Sequence, residues 1–473
     1  MSSRTSTPDA QDATAIVPVP AATGTGRDRR AGMLVALTAC GLGGLYLWRG
    51  AVAPVPLDPR GQIEATAWLG LDRWAFVDQP WRWLFLELAV VAGASVARWT
   101  DACRRMACTM RRALERPAAR LALAAASTVL FWCASTNRVN LDGLLLQQKF
   151  TDAAARTGAF VTHDEMLELY LHSRLWIILH AAWGWDVAQT YRATSCLAGG
   201  VAVFLVLGLS RRFLPSRWPL VVAGLFAGGW VLVFFGDVEN YTLTNVAVLT
   251  YLTMALRYLD DEHARLWPAG FLLGIAALCH LEALVLSPSL LVLGGFAIRR
   301  RRPADAAVAV LAVPALLGAA VWWFNLHELP ITDLATHSQI SAQGGHFARF
   351  IAPAHSQYIW LQLQLLLLLV PSLALLPALL SAGILQKTPR MIFLAVASAG
   401  ALLMVGLWRA QLGAYNDWNL YAMTAQPLGL FVFGGLATQP SIRRQAAWLA
   451  ALVVLMITQT AAWIAEHHAI LPT

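Results

Sequence analysis

The feature that most constrains this chain is a series of long apolar segments separated by short polar ones. Of its 473 residues, 58% are hydrophobic and 13% are charged, about half the charged fraction of soluble proteins. A run of about 18 or more apolar residues can cross the hydrocarbon core as a helix, which satisfies its own backbone in lipid. The runs are continuous and lack the period-two alternation of transmembrane β-strands. We therefore predict an all-α, polytopic transmembrane bundle of about 13 spans, at roughly 31–49, 81–98, 119–136, 193–210, 218–235, 242–259, 267–281, 283–298, 305–324, 359–385, 391–408, 418–437 and 445–464.

The distribution of basic residues predicts the orientation of these spans. The net charge is +8, and most Lys and Arg residues fall in alternate connections, each of which holds at least two. The positive-inside rule then places the N-terminus in the cytoplasm. This charge is explained by topology and by contact with anionic lipid, so we do not expect nucleic-acid binding.

The same pattern divides the chain into segments. The layout predicts a disordered cytoplasmic tail at 1–30, two extra spans with a basic cytoplasmic loop at 31–118, a membrane core at 119–437, and a final span with an outer tail at 438–473. Two outer loops, 137–192 and 325–358, are long, and long ordered loops are usually functional. Segment 167–183 is interpreted as an amphipathic helix in the interface. Segment 359–385 contains Pro371 and Pro377 and is too long for one straight span, so we expect it to be kinked, to be tilted, or to be a span followed by an interfacial helix.

Polar clusters gather where the outer ends of the spans are predicted. Asp142 follows the third span in a sequence that a simple Asp–Gly turn or helix cap would also explain. The turn 236–241 holds Asp237, Glu239 and Tyr241, whose carboxylates could equally cap a helix.

Two further clusters follow along the chain. His280 and Glu282 lie between two spans with almost no loop, where ionisable residues are costly and often functional, although a mutually satisfied polar turn is the alternative. Arg409 and Asp417 precede a later span; they could hold a phosphate, or could anchor and cap the helix. The histidines His327, His337, His346 and His355 are nine or ten residues apart, and we expect no metal site there.

The arrangement resembles the glycosyltransferase-C fold family, which includes the protein O-mannosyltransferases and the lipid A aminoarabinose transferase. The resemblance rests on Asn140-Leu141-Asp142-Gly143 in the first large outer loop, on amphipathic helices in that loop, and on the acidic turns of later connections. It covers residues 119–437 by layout, with Asn140 in place of an upstream acid.

The resemblance implies an inverting transferase that moves a sugar from a polyprenyl-phosphate donor to a lipid or glycan acceptor of the cell envelope, on the exoplasmic side of a bacterial-type inner membrane. Asp142 is then the base that takes the acceptor proton. Lys149 or Arg409 holds the phosphate. Glu239, His280 and Glu282 shape the acceptor pocket or tune Asp142. Asp237 and Glu239 are also candidate catalytic residues, and Tyr241 and Asp417 are candidates for substrate binding. A divalent metal is compatible with the sequence but not required by it.

The sequence is also compatible with two other functions. A transporter or lipid flippase could use His280 and Glu282 as an intramembrane proton or ion site, although we find no repeat between the two halves of the chain. A non-catalytic partner of envelope polysaccharide machinery could share the fold, because a fold does not fix a function.

Overall fold

A computed structural model describes residues 26–52, 68–135, 139, 141–154, 159, 161–209, 212, 217–327, 329, 356–381, 388–407, 418–439 and 442–468. The secondary structure in these ranges is almost entirely helical. The first nine α-helices are α1 (Gly26–Val52), α2 (Gln79–Arg98), α3 (Thr100–Leu114), α4 (Pro117–Cys133), α5 (Leu141–Ala154), α6 (Met166–Trp183), α7 (Val187–Leu209), α8 (Trp218–Phe226) and α9 (Thr242–Asp260).

The later helices are joined by short 3₁₀ segments. They are α10 (Trp267–Cys279), α11 (Ser287–Arg299), α12 (Pro303–Leu326), α13 (Ser356–Leu369), α14 (Leu376–Ser381), α15 (Pro389–Leu407), α16 (Ala425–Thr438) and α17 (Ile442–His468). The 3₁₀ helices span Arg73–Phe76, Gly229–Phe234, Leu281–Leu286, Pro371–Leu375 and Trp418–Thr424.

Each predicted span coincides with a helix or with a helix joined to a 3₁₀ segment, so the polytopic all-α bundle is confirmed. Seven helical segments of the described chain are long and apolar enough to cross a membrane, and two bent pairs raise the number to nine. The predicted segments 119–136 and 267–281 correspond to helices shorter than the 18 residues of a full span. All 13 predicted segments are thus helical, while length and composition support seven to nine complete spans among the described residues.

Two bends divide helical pairs that could each have been one span. The chain turns by 99° between α13 and the helical segment that begins at Pro371, at one of the two prolines expected to kink segment 359–385. Between α2 and α3 it turns by 94°. The basic segment after Arg98 is therefore a separate helix that crosses the direction of α2. Helix α1 begins at Gly26, within the predicted tail, and residues 1–25 lie outside the described part of the chain.

Glycines allow helix pairs to pack closely, as is usual in membranes. A β-carbon at Gly200 of α7 would lie 2.1 Å from the Thr128 hydroxyl of α4. One at Gly270 of α10 would lie 2.0 Å from the carbonyl oxygen of Ala309 in α12. Neither position tolerates a residue larger than glycine, so the two helices of each pair pack with their backbones close together.

Helix α7 defines two ends of the bundle. Near its start, Tyr191 packs with residues of α5, α6 and the 236–241 turn; we call this the polar end. Near its other terminus, Leu207 packs with Leu114 of α3 and Trp218 of α8; we call this the basic end. The 16 residues between Tyr191 and Leu207 correspond to about 24 Å of helix, close to the thickness of the hydrocarbon core of a bilayer.

Candidate functional site

Helix α6 brings a carboxylate to the start of α9 at the polar end. Glu168, in the first turn of α6, is fully buried. Its carboxylate accepts hydrogen bonds from the backbone N–H groups of Leu243 (2.9 Å) and Thr244 (3.2 Å) and from the Thr244 hydroxyl (2.9 Å). The first N–H groups of a helix have no acceptor within it, and the helix dipole there favours negative charge. Glu168 therefore caps α9 from a different helix.

Burial changes the titration of Glu168 and its neighbour. It raises the pKa of Glu168 to about 7, because the loss of water outweighs the hydrogen bonds from Leu243 and Thr244 that favour the charged form. Burial also lowers the pKa of His172, one turn further along α6, to about 4. His172 is therefore neutral at pH 7, whereas Glu168 titrates close to it.

The neutral His172 ring holds Tyr191 in place. Its Nδ1–H donates to the Glu168 carbonyl oxygen (3.0 Å), and its Nε2 accepts from the Thr194 hydroxyl (2.8 Å). Because a carbonyl oxygen only accepts, the proton is assigned to Nδ1. The ring stacks on Tyr191 with 4.0 Å between ring centroids and 3° between planes.

A polar chain runs from Tyr191 towards α10. The Tyr191 hydroxyl donates to Asn240 Oδ1 (2.6 Å), and Asn240 Nδ2 donates to Glu165 Oε2 (3.0 Å). The other carboxylate oxygen of Glu165 lies 3.6 Å from His280 Nε2. Four parts of the chain thus contribute one side chain each: α7, the 236–241 turn, the residue before α6, and the end of α10.

The break between α10 and the next 3₁₀ helix places His280 and Glu282 side by side. His280 is extended (φ −152°, ψ 127°), and its Nδ1 accepts a hydrogen bond from the Glu282 N–H (3.2 Å). Its Nε2–H is therefore the donor that faces Glu165. The Leu281 N–H donates to the Asp164 carbonyl oxygen (2.8 Å), which ties this break to the segment before α6.

Glu282 is a buried acid to which no group in the described part of the chain donates a hydrogen bond. Its side chain is 4% exposed, and Oε2 lies 3.8 Å from His280 Nδ1. Among the described residues, neither carboxyl oxygen of Glu282 has a hydrogen-bond partner. Buried polar groups are nearly always satisfied, and leaving one unsatisfied is costly. This carboxyl can therefore accept from, or donate to, a hydroxyl group of a bound molecule.

The 236–241 turn is a rigid part of the same region. Gly236 has φ +84°, and a β-carbon there would lie 2.9 Å from Ser135 Cβ, so the turn requires glycine. Asp237 Oδ2 accepts from Asn419 Nδ2 (3.2 Å), and the Tyr241 ring lies 5.1 Å from the His280 ring. The turn therefore contacts both the α10 break and the 3₁₀ helix Trp418–Thr424.

Arg192 places a cation beside this turn. It follows Tyr191 in α7, and its guanidinium lies over the Trp132 ring at 4.7 Å from the ring centroid. One of its terminal nitrogens donates to the Trp132 carbonyl oxygen (3.3 Å). Its Nε has no acceptor in the described part of the chain, so the guanidinium can bind a further anion.

The structure gathers some of the predicted site residues and not others. Tyr241, His280 and Glu282 lie together, Asp237 lies in the adjoining turn, and Glu239 is buried there. Lys149 is exposed on α5.

Three predicted site residues fall wholly or partly outside the described structure. Asp142 belongs by its backbone to the first turn of α5, while its side chain lies outside the described part. Arg409 and Asp417 lie outside the described residues altogether, as do His337, His346 and His355.

Several polar residues of this region were not predicted: Glu165, Glu168, His172, Tyr191, Arg192 and Asn240. The signal was visible for two of them, since Glu168 and His172 interrupt the apolar sequence of 167–183 at a four-residue spacing. An interfacial amphipathic helix over 167–183 would expose such polar residues to water. Instead both are buried, whereas Arg174 and His180 on the same helix are exposed. The described residues include no group of three or more His, Cys, Asp or Glu side chains able to hold a metal ion.

Comparison with known proteins gives a distant structural likeness. No family model matches the sequence, and no curated protein matches it. The chain is similar to ArnT from Cupriavidus metallidurans bound to undecaprenyl phosphate, at 14% identity and a TM-score of 0.35, over 72% of this chain and 77% of ArnT. It is similar to the same protein in the apo state at 15% identity and the same TM-score and coverage.

Proposed function

We propose that the protein is a membrane glycosyltransferase that moves a sugar from a polyprenyl-phosphate donor to a cell-envelope acceptor at the polar end, on the exoplasmic side. The observation that carries the proposal is the meeting of Glu165, His280 and the unsatisfied Glu282 at one end of an apolar helical bundle. A lipid-linked donor stays in the bilayer, so its enzyme needs polar groups where the helices end. A hydroxyl acceptor needs a buried carboxyl to orient it.

The transfer step requires one base and one cation. The acceptor oxygen forms a bond to the anomeric carbon and gives its proton to a carboxylate. The bond from that carbon to the phosphate oxygen breaks, and the polyprenyl phosphate leaves with the electron pair. A positioned carboxylate base contributes about 10²–10⁴-fold to such a step, and a cation at the phosphate stabilises the charge that develops there.

We assign Asp142 as the base, as the family resemblance implies. What supports this is the position of its helix: Phe150, two turns after Asp142, packs on Tyr191 at 5.8 Å between ring centroids. Leu146, one turn after Asp142, belongs to the same buried cluster. Helix α5 therefore lies against Tyr191, the first residue of the hydrogen-bonded series that leads to His280.

Other residues are assigned to binding. His280, Glu282 and Tyr241 form the acceptor pocket, and Asp237 and Glu239 shape it from the adjoining turn. Arg192 joins Lys149 and Arg409 as a candidate for the donor phosphate, and Asp417 remains a candidate near Asn419. Arg192 has the strongest structural support of the three cations, because it is fixed on Trp132 and retains a free Nε–H.

The test is transfer by the purified full-length protein in lipid nanodiscs. Polyprenyl-phosphate sugars and envelope lipid extracts serve as substrates, and lipid mass spectrometry detects the product and the released polyprenyl phosphate. Asp142→Asn should abolish transfer, whereas Asp152→Asn, an exposed acid on the same helix, should leave it unchanged. An Asp142→Asn protein with full activity would remove the base assignment. A wild-type protein that releases no polyprenyl phosphate from any donor would contradict the function.

The location of the acids weighs against a transporter or flippase. The His280–Glu282 pair lies at helix ends, with Asn240 and Tyr191, about 24 Å along α7 from the basic end. Coupling sites of secondary transporters lie near the bilayer midplane, between repeats. Proton-coupled uptake into proteoliposomes that depends on Glu282, without sugar transfer, would favour the transporter instead.

A further inference from the structure

The basic end of the bundle holds a cavity separate from the site above. It has a volume of about 620 Å³ and lies between α2, α3, the start of α8 and the first half of α17. Ligand pockets in proteins are typically about 300–1,000 Å³. Its walls are largely apolar, with Val96, Leu220, Leu449 and Ile457 among the lining residues. The cavity is therefore large enough for a small molecule or a lipid chain.

Helix α3 closes this cavity across the end of the bundle. It bends by 94° from α2, and the Trp218 indole N–H donates to the Ala107 carbonyl oxygen (3.0 Å). Thr100, Cys103, Ala107 and Met110 repeat at helical spacing and line the cavity. An amphipathic helix that turns away from a span in this way lies along the membrane interface.

The cavity has an apolar interior and a basic entrance. Met106 and Met110 line it and are 60% and 47% exposed, so it opens on the outer surface of the bundle. Arg104 lines it and is exposed, next to Thr100 and Asp101. No ion pair involves Arg104 in the part of the chain that the structure describes. Arg217, also at the cavity, donates to the Ala437 carbonyl oxygen (2.6 Å).

We propose that this cavity is a binding site for one anionic phospholipid, with an acyl chain inside and its phosphate at Arg104. An apolar cavity offers too few polar partners to hold water, and one that faces hydrocarbon is filled by a lipid chain. The charge of the headgroup follows from its surroundings, because α3 carries Arg104, Arg105, Arg111 and Arg112 against one acid, Asp101. Basic residues next to a membrane attract anionic lipids.

The site does not depend on the transferase proposal. It lies at the opposite end of α7 from Tyr191, and its residues take no part in the polar chain. Its occupant is a structural lipid of the leaflet next to α3, which the distribution of Arg and Lys predicts to be cytoplasmic. The two proposals can therefore fail separately.

Native mass spectrometry of the full-length protein in detergent tests the site, with phosphatidylglycerol and phosphatidylethanolamine of identical chains as probes. Arg104→Ala should weaken phosphatidylglycerol binding by roughly fivefold, the loss expected for one basic residue at a membrane surface, and should weaken phosphatidylethanolamine binding less, because the ammonium group of that lipid offsets the charge of its phosphate. The matched control is Arg105→Ala, an exposed arginine of the same helix that does not line the cavity. Ala450→Phe, which fills the cavity, should abolish the tightest bound lipid of either kind.

Each other outcome overturns part of the proposal. Equal losses of phosphatidylglycerol affinity for Arg104→Ala and Arg105→Ala would show that the lipid is attracted by the overall charge of α3. That result would exclude a headgroup site at Arg104. Lipid binding that survives Ala450→Phe would remove the chain site, provided that the variant elutes as a single species in gel filtration; Ala446→Phe repeats this test from one turn away. A dimer that dissociates with Ala450→Phe would show that a second copy of the chain occupies the cavity.

Discussion

The carboxylate that caps α9 should make stability fall as the pH rises towards neutrality. The folded-state pKa of Glu168, about 7, lies above its ordinary value of 4.5, so the folded protein binds more protons between these two values. The stabilisation from this group is complete below about pH 4.5 and is lost as the pH rises through 7. At about 1.4 kcal/mol for each pKa unit, the total loss is roughly 3 kcal/mol.

Glu168→Gln isolates this contribution, because it keeps the shape of the side chain and removes its titration. His172 has a folded-state pKa of about 4, below its ordinary 6.5. The stability that it contributes is therefore lost as the pH falls, whereas that of Glu168 is lost as the pH rises. The difference in the free energy of unfolding between wild type and Glu168→Gln therefore isolates the effect of Glu168, which neither pH profile does alone. That difference should change by roughly 3 kcal/mol between pH 4.5 and 8 in favour of the variant, or about 3 °C in Tm for a chain of this length.

Differential scanning fluorimetry of the detergent-solubilised protein from pH 4.5 to 8 measures this change. Glu115→Gln, at an exposed position after α3, serves as the control and should follow the wild type at every pH. Wild-type and Glu168→Gln profiles that stay parallel would refute the reasoning. They would mean that the capping hydrogen bonds offset the cost of burying the charge.

Two further predictions concern the polar end. Gly236→Ala should lower the free energy of unfolding by about 1–3 kcal/mol through backbone strain, which is measured as a lower Tm. Gly318→Ala, with open space around it, should not lower the Tm. Equal Tm values for the two variants would contradict the steric argument. Glu282→Gln should misplace the acceptor and slow sugar transfer by on the order of 10²-fold with little change in Tm. Glu262→Gln, at an exposed position, should transfer normally. A Glu282→Gln enzyme with normal rates would exclude the carboxyl from orienting the acceptor.

The helices could be predicted from the sequence because the signal for each of them is local. A continuous apolar run fixes a helix in lipid without reference to its neighbours, and Pro371 breaks α13 at the position that segment 359–385 suggested. Complete spans were harder to count, since α4 and α10 are apolar but short. Whether such helices cross the bilayer depends on their packing partners, which composition does not specify.

Topology alone accounts for the predicted site residues that lie together. His280 and Glu282 share one break, and the turn with Tyr241 lies against it, because both connect adjacent helices at the same end of the bundle. Glu165 and Tyr191 could not be found in this way. Their link runs through Asn240, and it depends on the docking of α6 between α7 and α9, a contact between residues up to 75 positions apart.

The hydrogen bonds of Glu165, Glu168 and Glu282 at the polar end separate their roles. Glu168 receives three hydrogen bonds at the start of α9, so its carboxyl group closes a helix terminus. Glu165 receives the Asn240 amide and faces His280, so it orients the imidazole. Glu282 is as deeply buried but has no hydrogen-bond donor in the described structure. Because folding alone does not compensate the burial of this acid, its partner is best sought in a bound molecule, and an acceptor hydroxyl supplies the missing hydrogen bond.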